Sequence, residues 1–272
     1  MMTPSLAGPP PSSPPRPRSL LPQEHGAWGQ LAMPLLSAYA IGGLAPAALL
    51  LGAATVLAFL AHEPWLVALG HRGVRALREE GARARRVMWA FLAAAGVTGL
   101  LGLWLAPAAA RVALVVPAAR GAAVVGFVLA KRERTVLGEL TVVSALASSG
   151  FAVALASGAT LEVAAAATVI WVLAFASSVF AVHVVMARAL SRGEEEHRWR
   201  NAVLALLVGG GGAAAAVAAG LGWAVPAAVA PTLVLSLVVC LAPFSARQLK
   251  TLGWGLVGAT TASLVILVAM LR

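Results

Sequence analysis

Residues 163 to 187 read VAAAATVIWVLAFASSVFAVHVVMA, 25 consecutive positions without a carboxylate, a lysine or an arginine. A helix needs roughly 20 apolar residues to cross about 30 Å of hydrocarbon, and only a helix or a closed barrel satisfies its backbone there. This stretch is long enough to span a bilayer, and Glu162 and Arg188 bracket it as charges should where hydrocarbon ends. Working outward, further apolar stretches fall at 27–44, 45–61, 88–106, 112–130, 138–157, 202–221, 224–243 and 252–271. With the first, they predict an all-α, polytopic membrane bundle of about nine transmembrane helices over residues 23–272. The first two spans are separated mainly by Gly42, Gly43 and Pro46, so they form a tight hairpin.

The composition agrees. Of 272 residues 60% are apolar and 11% charged, with a mean hydropathy of +0.89. That is more apolar surface than one water-soluble core encloses. The net charge of +10 does not mark a nucleic-acid binder, because the basic residues stand in short clusters between apolar runs. Residues 1–22 are rich in Pro and Ser, lack an apolar core, and read as a disordered tail rather than a signal peptide. Cys240 is the sole cysteine and lies within an apolar run, so it is expected to be a packing residue. All ten acidic residues are Glu, which excludes any mechanism that depends on aspartate.

Orientation follows from the arginines. With the N-terminus in the cytoplasm, Arg16, Arg18, the six arginines from Arg72 to Arg86, Lys131, Arg132, Arg134, Arg188, Arg192, Arg198, Arg200, Arg247 and Lys250 fall on the inner side. That accounts for 17 of the 20 basic residues and predicts a multi-pass protein of the bacterial inner membrane with its C-terminus outside. Arg120 falls mid-span: either it lines a cavity, or Pro117 breaks the helix and the span is misplaced. The segment Gly70 to Arg86 reads as a solvated basic loop or as an amphipathic helix lying on headgroups. Glu194, Glu195, Glu196, His197 and Arg198 read as a solvated turn. The run Gly209 to Gly212, followed by Ala213 to Ala216, predicts close helix packing, with a gating hinge as the other reading.

Ionisable groups at the edge of hydrocarbon are costly, which makes their positions informative. Here they gather at the inner level. Glu24 and His25 enter the first helix, His62 and Glu63 close the second, Glu139 opens the fifth after Arg134, and His183 and Arg188 end the sixth. These eight residues are the candidate lining of a polar cavity open to the cytoplasm. Its arginines would hold an anionic group and its Glu or His residues would move protons. Anchoring at the headgroup level is the alternative for each. Adjacent His62 and Glu63 diverge around a helix and no His-x-x-x-His spacing occurs, so no metal site is expected.

The entry motif Pro22, Gln23, Glu24, His25, Gly26, Ala27, Trp28, running into Leu31 to Leu36, resembles the opening of the YwiC-like family of bacterial membrane proteins. His62, Glu63, Pro64 and the segment Lys131 to Arg134 leading to Gly138 and Glu139 fit that family's later polar boundaries. A more distant resemblance is to the UbiA prenyltransferase superfamily. It shares nine helices, a cytoplasmic N-terminus and polar loops after the second, fourth and sixth helices. That resemblance implies a UbiA-like scaffold with an isoprenoid or phospholipid among the cytoplasmic helix ends. Those enzymes hold a prenyl diphosphate through magnesium on two aspartate-rich motifs, since Mg²⁺ needs clustered hard oxygens. This chain has no Asp, and neither Glu63 nor Glu194 to Glu196 repeats at a four-residue spacing, so magnesium is not supported and no cofactor is expected.

Three functions stay open: a lipid-handling relative of the prenyltransferases, a small-molecule or ion transporter, and a non-catalytic membrane assembly partner. Evident internal repeats, the usual mark of a transporter, are missing, and an odd number of spans does not divide into equal halves. An assembly partner would use the Gly- and Ala-rich seventh span as its interface.

Overall fold

In a computed structural model of the chain, the described residues are 19–22, 25–189, 194–242 and 248–272, all helical or in turns. The helices are α1 (His25–Gly42), α2 (Pro46–Ala68), α3 (Val74–Leu105), α4 (Ala108–Ala113), α5 (Val115–Leu129), α6 (Val136–Ala156), α7 (Leu161–Ala189), α8 (Glu194–Leu206), α9 (Gly212–Ala218), α10 (Ala224–Leu241) and α11 (Leu249–Leu271). A π-helical turn, Leu207–Gly211, joins α8 to α9. Among the described residues eight spans are long and apolar enough to cross a membrane, counting α4 with α5 and α8 with α9 as single spans. The ninth long helix, α1, has 18 residues but carries His25, Gln30, Pro34 and Ser37, which lower its apolar content. The chain is therefore a multi-pass membrane protein surrounded by lipid.

The bundle is organised around α7. Two thirds of its apolar window (67%) is buried inside the protein, against 6% for α3 at the rim. In a bilayer, neighbouring helices gain no hydrophobic advantage over lipid, so close contact depends on small side chains. Ala164, Ala166, Ala167, Ala174, Ser177 and Ala181 provide them along α7, all buried. α6, α8, α10 and α1 pack around it, and α2 with α3 forms a long antiparallel hairpin at one side. Gly209 and Gly212 serve the same end: a Cβ on Gly209 would come within 2.8 Å of Leu233, and one on Gly212 within 2.5 Å of Leu173. The glycine run thus fits tight internal packing, with its local turn widened to the π form.

Polar groups inside the bundle find partners within it. Trp171 Nε1 of α7 donates to Ser37 Oγ of α1 at 2.9 Å, and that hydroxyl donates on to the Pro34 carbonyl at 2.8 Å. Ser148, Ser177, Thr232 and Ser236 donate to backbone carbonyls three or four residues earlier in their helices. Arg111 caps α3 from outside, with Nε and Nη2 on the carbonyls of Ala106 and Trp104 at 2.8 and 2.9 Å.

Several boundaries differ from the sequence expectation. α2 continues to Ala68 instead of ending near residue 61, so His62 to Trp65 are helical and Pro64 lies inside the helix. The basic segment 74–86 is neither a loop nor a separate surface helix. It is the first part of α3, whose 32 residues make it about 48 Å long at 1.5 Å per residue, so it projects beyond the hydrocarbon. Residues 194–198 form the start of α8 and not a turn, although the side chains of 194–197 lie outside the described residues. The fourth span is broken, at Leu114. Pro117 has no N–H to offer the carbonyl of Ala113, four residues back, so α4 ends there and α5 begins anew. Most of the expected tail, residues 1–18, falls outside the described residues; of the remainder, Leu20 is buried against Val67 of α2 and Ala84 of α3.

Candidate functional site

Helix alternation brings the ends of α2, α5 and α7 and the starts of α3 and α6 to one level, which carries most of the described basic side chains. Glu63 lies in the penultimate turn of α2 and is nearly buried, its side chain 9% exposed. A charge in that position needs a matched partner. Arg72 supplies one across the turn that follows: Nε donates to Oε1 at 3.0 Å and Nη2 to Oε2 at 2.5 Å, a two-pronged contact. The turn is shaped by Gly70 and Gly73, whose φ values of +76° and +97° are unfavourable for other residues.

The same turn aims His71 at the α5–α6 connection, where its Nδ1 stands 3.9 Å from Glu133 Oε2. That separation gives Coulombic contact but exceeds a hydrogen bond. Glu133 Oε2 is buried and has no hydrogen-bond partner. Gly138 folds the first turn of α6 back on this connection, since its Cα lies against the carbonyls of Arg132 and Glu133. Thr135 caps α6 by accepting from Gly138 N at 3.1 Å. One residue on, Glu139 reaches α7, where its Oε2 lies 3.0 Å from His183 Nε2, with both side chains partly buried. A carboxylate within hydrogen-bond distance of an imidazole fixes the ring's orientation, the arrangement of a proton-transfer pair.

Of the eight candidate residues, Glu139 and His183 are in direct contact, and Glu63 lies at the same level, held by Arg72. His62 is half-buried beside Glu63, while Arg134 points to the exterior. Glu24 and the side chains of His25 and Arg188 lie outside the described residues. His71, Arg72 and Glu133 were not picked out by the sequence reading as site residues. The signal for the first two was the Gly70-His71-Arg72-Gly73 bracket, a tight turn that displays two polar side chains. Among the described residues, no three His, Cys or Glu side chains converge in a metal-holding group. Arg78, Arg85 and Arg86 of α3, with Lys131, Arg132 and Arg134 of the α5–α6 connection, add exposed positive charge to the same elements.

A groove of about 410 Å³ lies elsewhere, lined by Gly210, Ala214, Val217, Ala218, Trp223 and Pro226. Comparison with curated proteins and with solved structures returned no match. Residues 21–154 match the model of the family described as YwiC-like protein. That stretch contains the entry motif, the Glu63–Arg72 pair, Glu133 and Glu139, so most of the polar cluster falls within the matched part. The chain is a multi-pass membrane protein, and its residues 21–154, just under half of its length, are similar to the YwiC-like family.

Proposed function

We propose that the arginine-rich end faces the cytoplasm and holds the anionic headgroup of a membrane lipid, an isoprenoid phosphate or a phospholipid. Glu139 and His183 serve it as a proton-handling pair. The observation that carries this reading is the convergence of Glu63–Arg72, His71–Glu133 and Glu139–His183 from three helices (α2, α6 and α7) and two turns at one level, beside exposed arginines of α3 and of the α5–α6 connection. Acidic groups matched internally leave the surrounding positive charge available to a phosphate, and arginine binds phosphate through two parallel hydrogen bonds. The unsatisfied Glu133 Oε2 offers an acceptor to a headgroup hydroxyl.

Mass spectrometry of lipids retained by the detergent-purified protein tests this directly. Wild type is expected to carry an anionic lipid in near-stoichiometric amount. Arg132→Ala combined with Arg134→Ala should lower its retention about tenfold, the equivalent of one lost charge-assisted contact. Equal retention by the double variant contradicts the proposal. The Glu139–His183 contact also fits proton-coupled transport of a small solute, a second reading. In proteoliposomes under a proton gradient, that reading requires flux that His183→Ala abolishes, whereas headgroup binding requires no flux.

A further inference from the structure

Residues 19–22 precede α1 and are not helical, yet they are fastened to the bundle at two points. Leu20 is 5% exposed and packs against Val67 of α2 and Ala84 of α3, with Val87 beside them. Its neighbours Ser19 and Leu21 are exposed. Pro22 takes the second fastening: its carbonyl accepts from Trp28 Nε1 at 3.1 Å, and the Trp28 ring stands edge-on to Phe59 of α2 with centroids 5.2 Å apart. One buried side chain and one hydrogen bond make a hold that opens far more often than a helix core.

The two fastenings bracket the Glu63–Arg72 pair. Phe59, Glu63 and Val67 follow one another at four-residue spacing, so they share a face of α2 and are separated by about 6 Å of rise at each step. Trp28 stands against the first, Arg72 against the second and Leu20 against the third. On α3, Ala84 belongs to the buried face that also carries Gly81 and Met88, and it closes the far side of the slot that Leu20 fills. The segment therefore lies over the end of the bundle one turn beyond Glu63. Glu63 and Arg72 have side chains only 9% and 20% exposed, whereas Arg78, Arg85, Arg132 and Arg134 are exposed. The best-shielded charges of the polar end are the ones this segment adjoins, and a phosphate that is to reach Arg72 needs the room that Leu20 fills.

Taking the polar end as the headgroup site proposed above, we infer that residues 19–22 are an autoinhibitory strap: with Leu20 seated between α2 and α3 the site is closed, and with Leu20 withdrawn Arg72 is open to a phosphate group. A site that is open for part of the time binds with its affinity scaled by the open fraction. The strap thus sets how tightly a headgroup is held without being one of its contacts.

Delipidated full-length protein carrying Leu20→Cys and Ala84→Cys in a Cys240→Ala background can be locked closed by a disulfide and released by reductant, with dioleoyl phosphatidic acid in detergent as the probe. Two further variants loosen the strap from its two fastenings. Leu20→Ala empties the slot, and Trp28→Phe keeps a ring on Phe59 but removes the donor to Pro22. The locked form is expected to bind phosphatidic acid at least about tenfold more weakly than the reduced form, and both loosened variants about threefold more tightly than wild type. Equal binding by the locked and reduced forms overturns the strap and leaves the headgroup reading standing. Tighter binding by the locked form, or weaker binding by both loosened variants, makes the segment part of the binding surface and overturns the strap as well. Absence of binding in every form, the loosened variants included, contradicts the headgroup reading itself and the strap falls with it.

Discussion

Glu63→Leu alone is expected to destabilise the protein by about 3 kcal/mol, the scale found when one partner of a buried ion pair is removed. Glu63 and Arg72 have side chains 9% and 20% exposed, and their two-pronged contact closes the α2–α3 turn. Without the carboxylate, the guanidinium is held in a poorly solvated position by Gly70 and Gly73, which fix the turn. Removing both charges is a different matter. Two apolar side chains of similar volume often match a buried pair, so Glu63→Leu with Arg72→Met should recover most of the loss. Thermal unfolding in mild detergent distinguishes the cases. A single-variant cost below about 1 kcal/mol places the pair with weak surface ion pairs and removes it from the structural core of the site.

Gly138→Ala is the second large effect. An added Cβ would lie 2.8 Å from the Glu133 carbonyl oxygen and closer still to that of Arg132, and both obstacles are backbone. Neither can yield unless the connection opens, which also removes the Thr135 cap and its hydrogen bond to the Arg132 carbonyl. Overpacking together with a lost cap amounts to about 3 kcal/mol. The informative readout is positional. Glu139 follows Gly138 directly, so the His183 ring should lose its hydrogen-bond partner, read as a change in its ring NMR chemical shifts. A variant that keeps wild-type stability and the wild-type His183 ring shifts contradicts this account of the α5–α6 connection.

Much of the fold was legible because hydrocarbon imposes a length and an apolar composition that no soluble domain shares. The stretch 163–187 needed nothing more, and α10 begins at the residue that hydropathy indicated. Boundaries at the polar end were less legible, because hydropathy stops at the first charge whereas the helix does not. α3 runs through its arginines with Ala76 and Ala84 turned inward, so the charges ride on the outer face of a continuous helix. α2 likewise carries Glu63 inside its last turns because Arg72 neutralises it. The site was legible in level but not in pairing. Glu139 and His183 both stood out as polar residues near the same boundary, yet the contact joins positions 44 apart and depends on how α6 packs on α7. His71 and Glu133 come from two separate turns, and their approach follows from α2 and α6 packing together, which composition does not reveal.

Every functional statement above depends on these turns sharing one side of the bilayer, the inner one. In a Cys240→Ala background, single cysteines at Arg78, Arg134 and Arg200 can be compared with cysteines at Gly43, Gly158 and Gly220 in intact cells, using a thiol reagent that does not cross the membrane. The account predicts that the second set is labelled in intact cells and that the first is labelled only after the membrane is opened. Labelling of Arg134→Cys from outside, or of both sets from the same side, would contradict it.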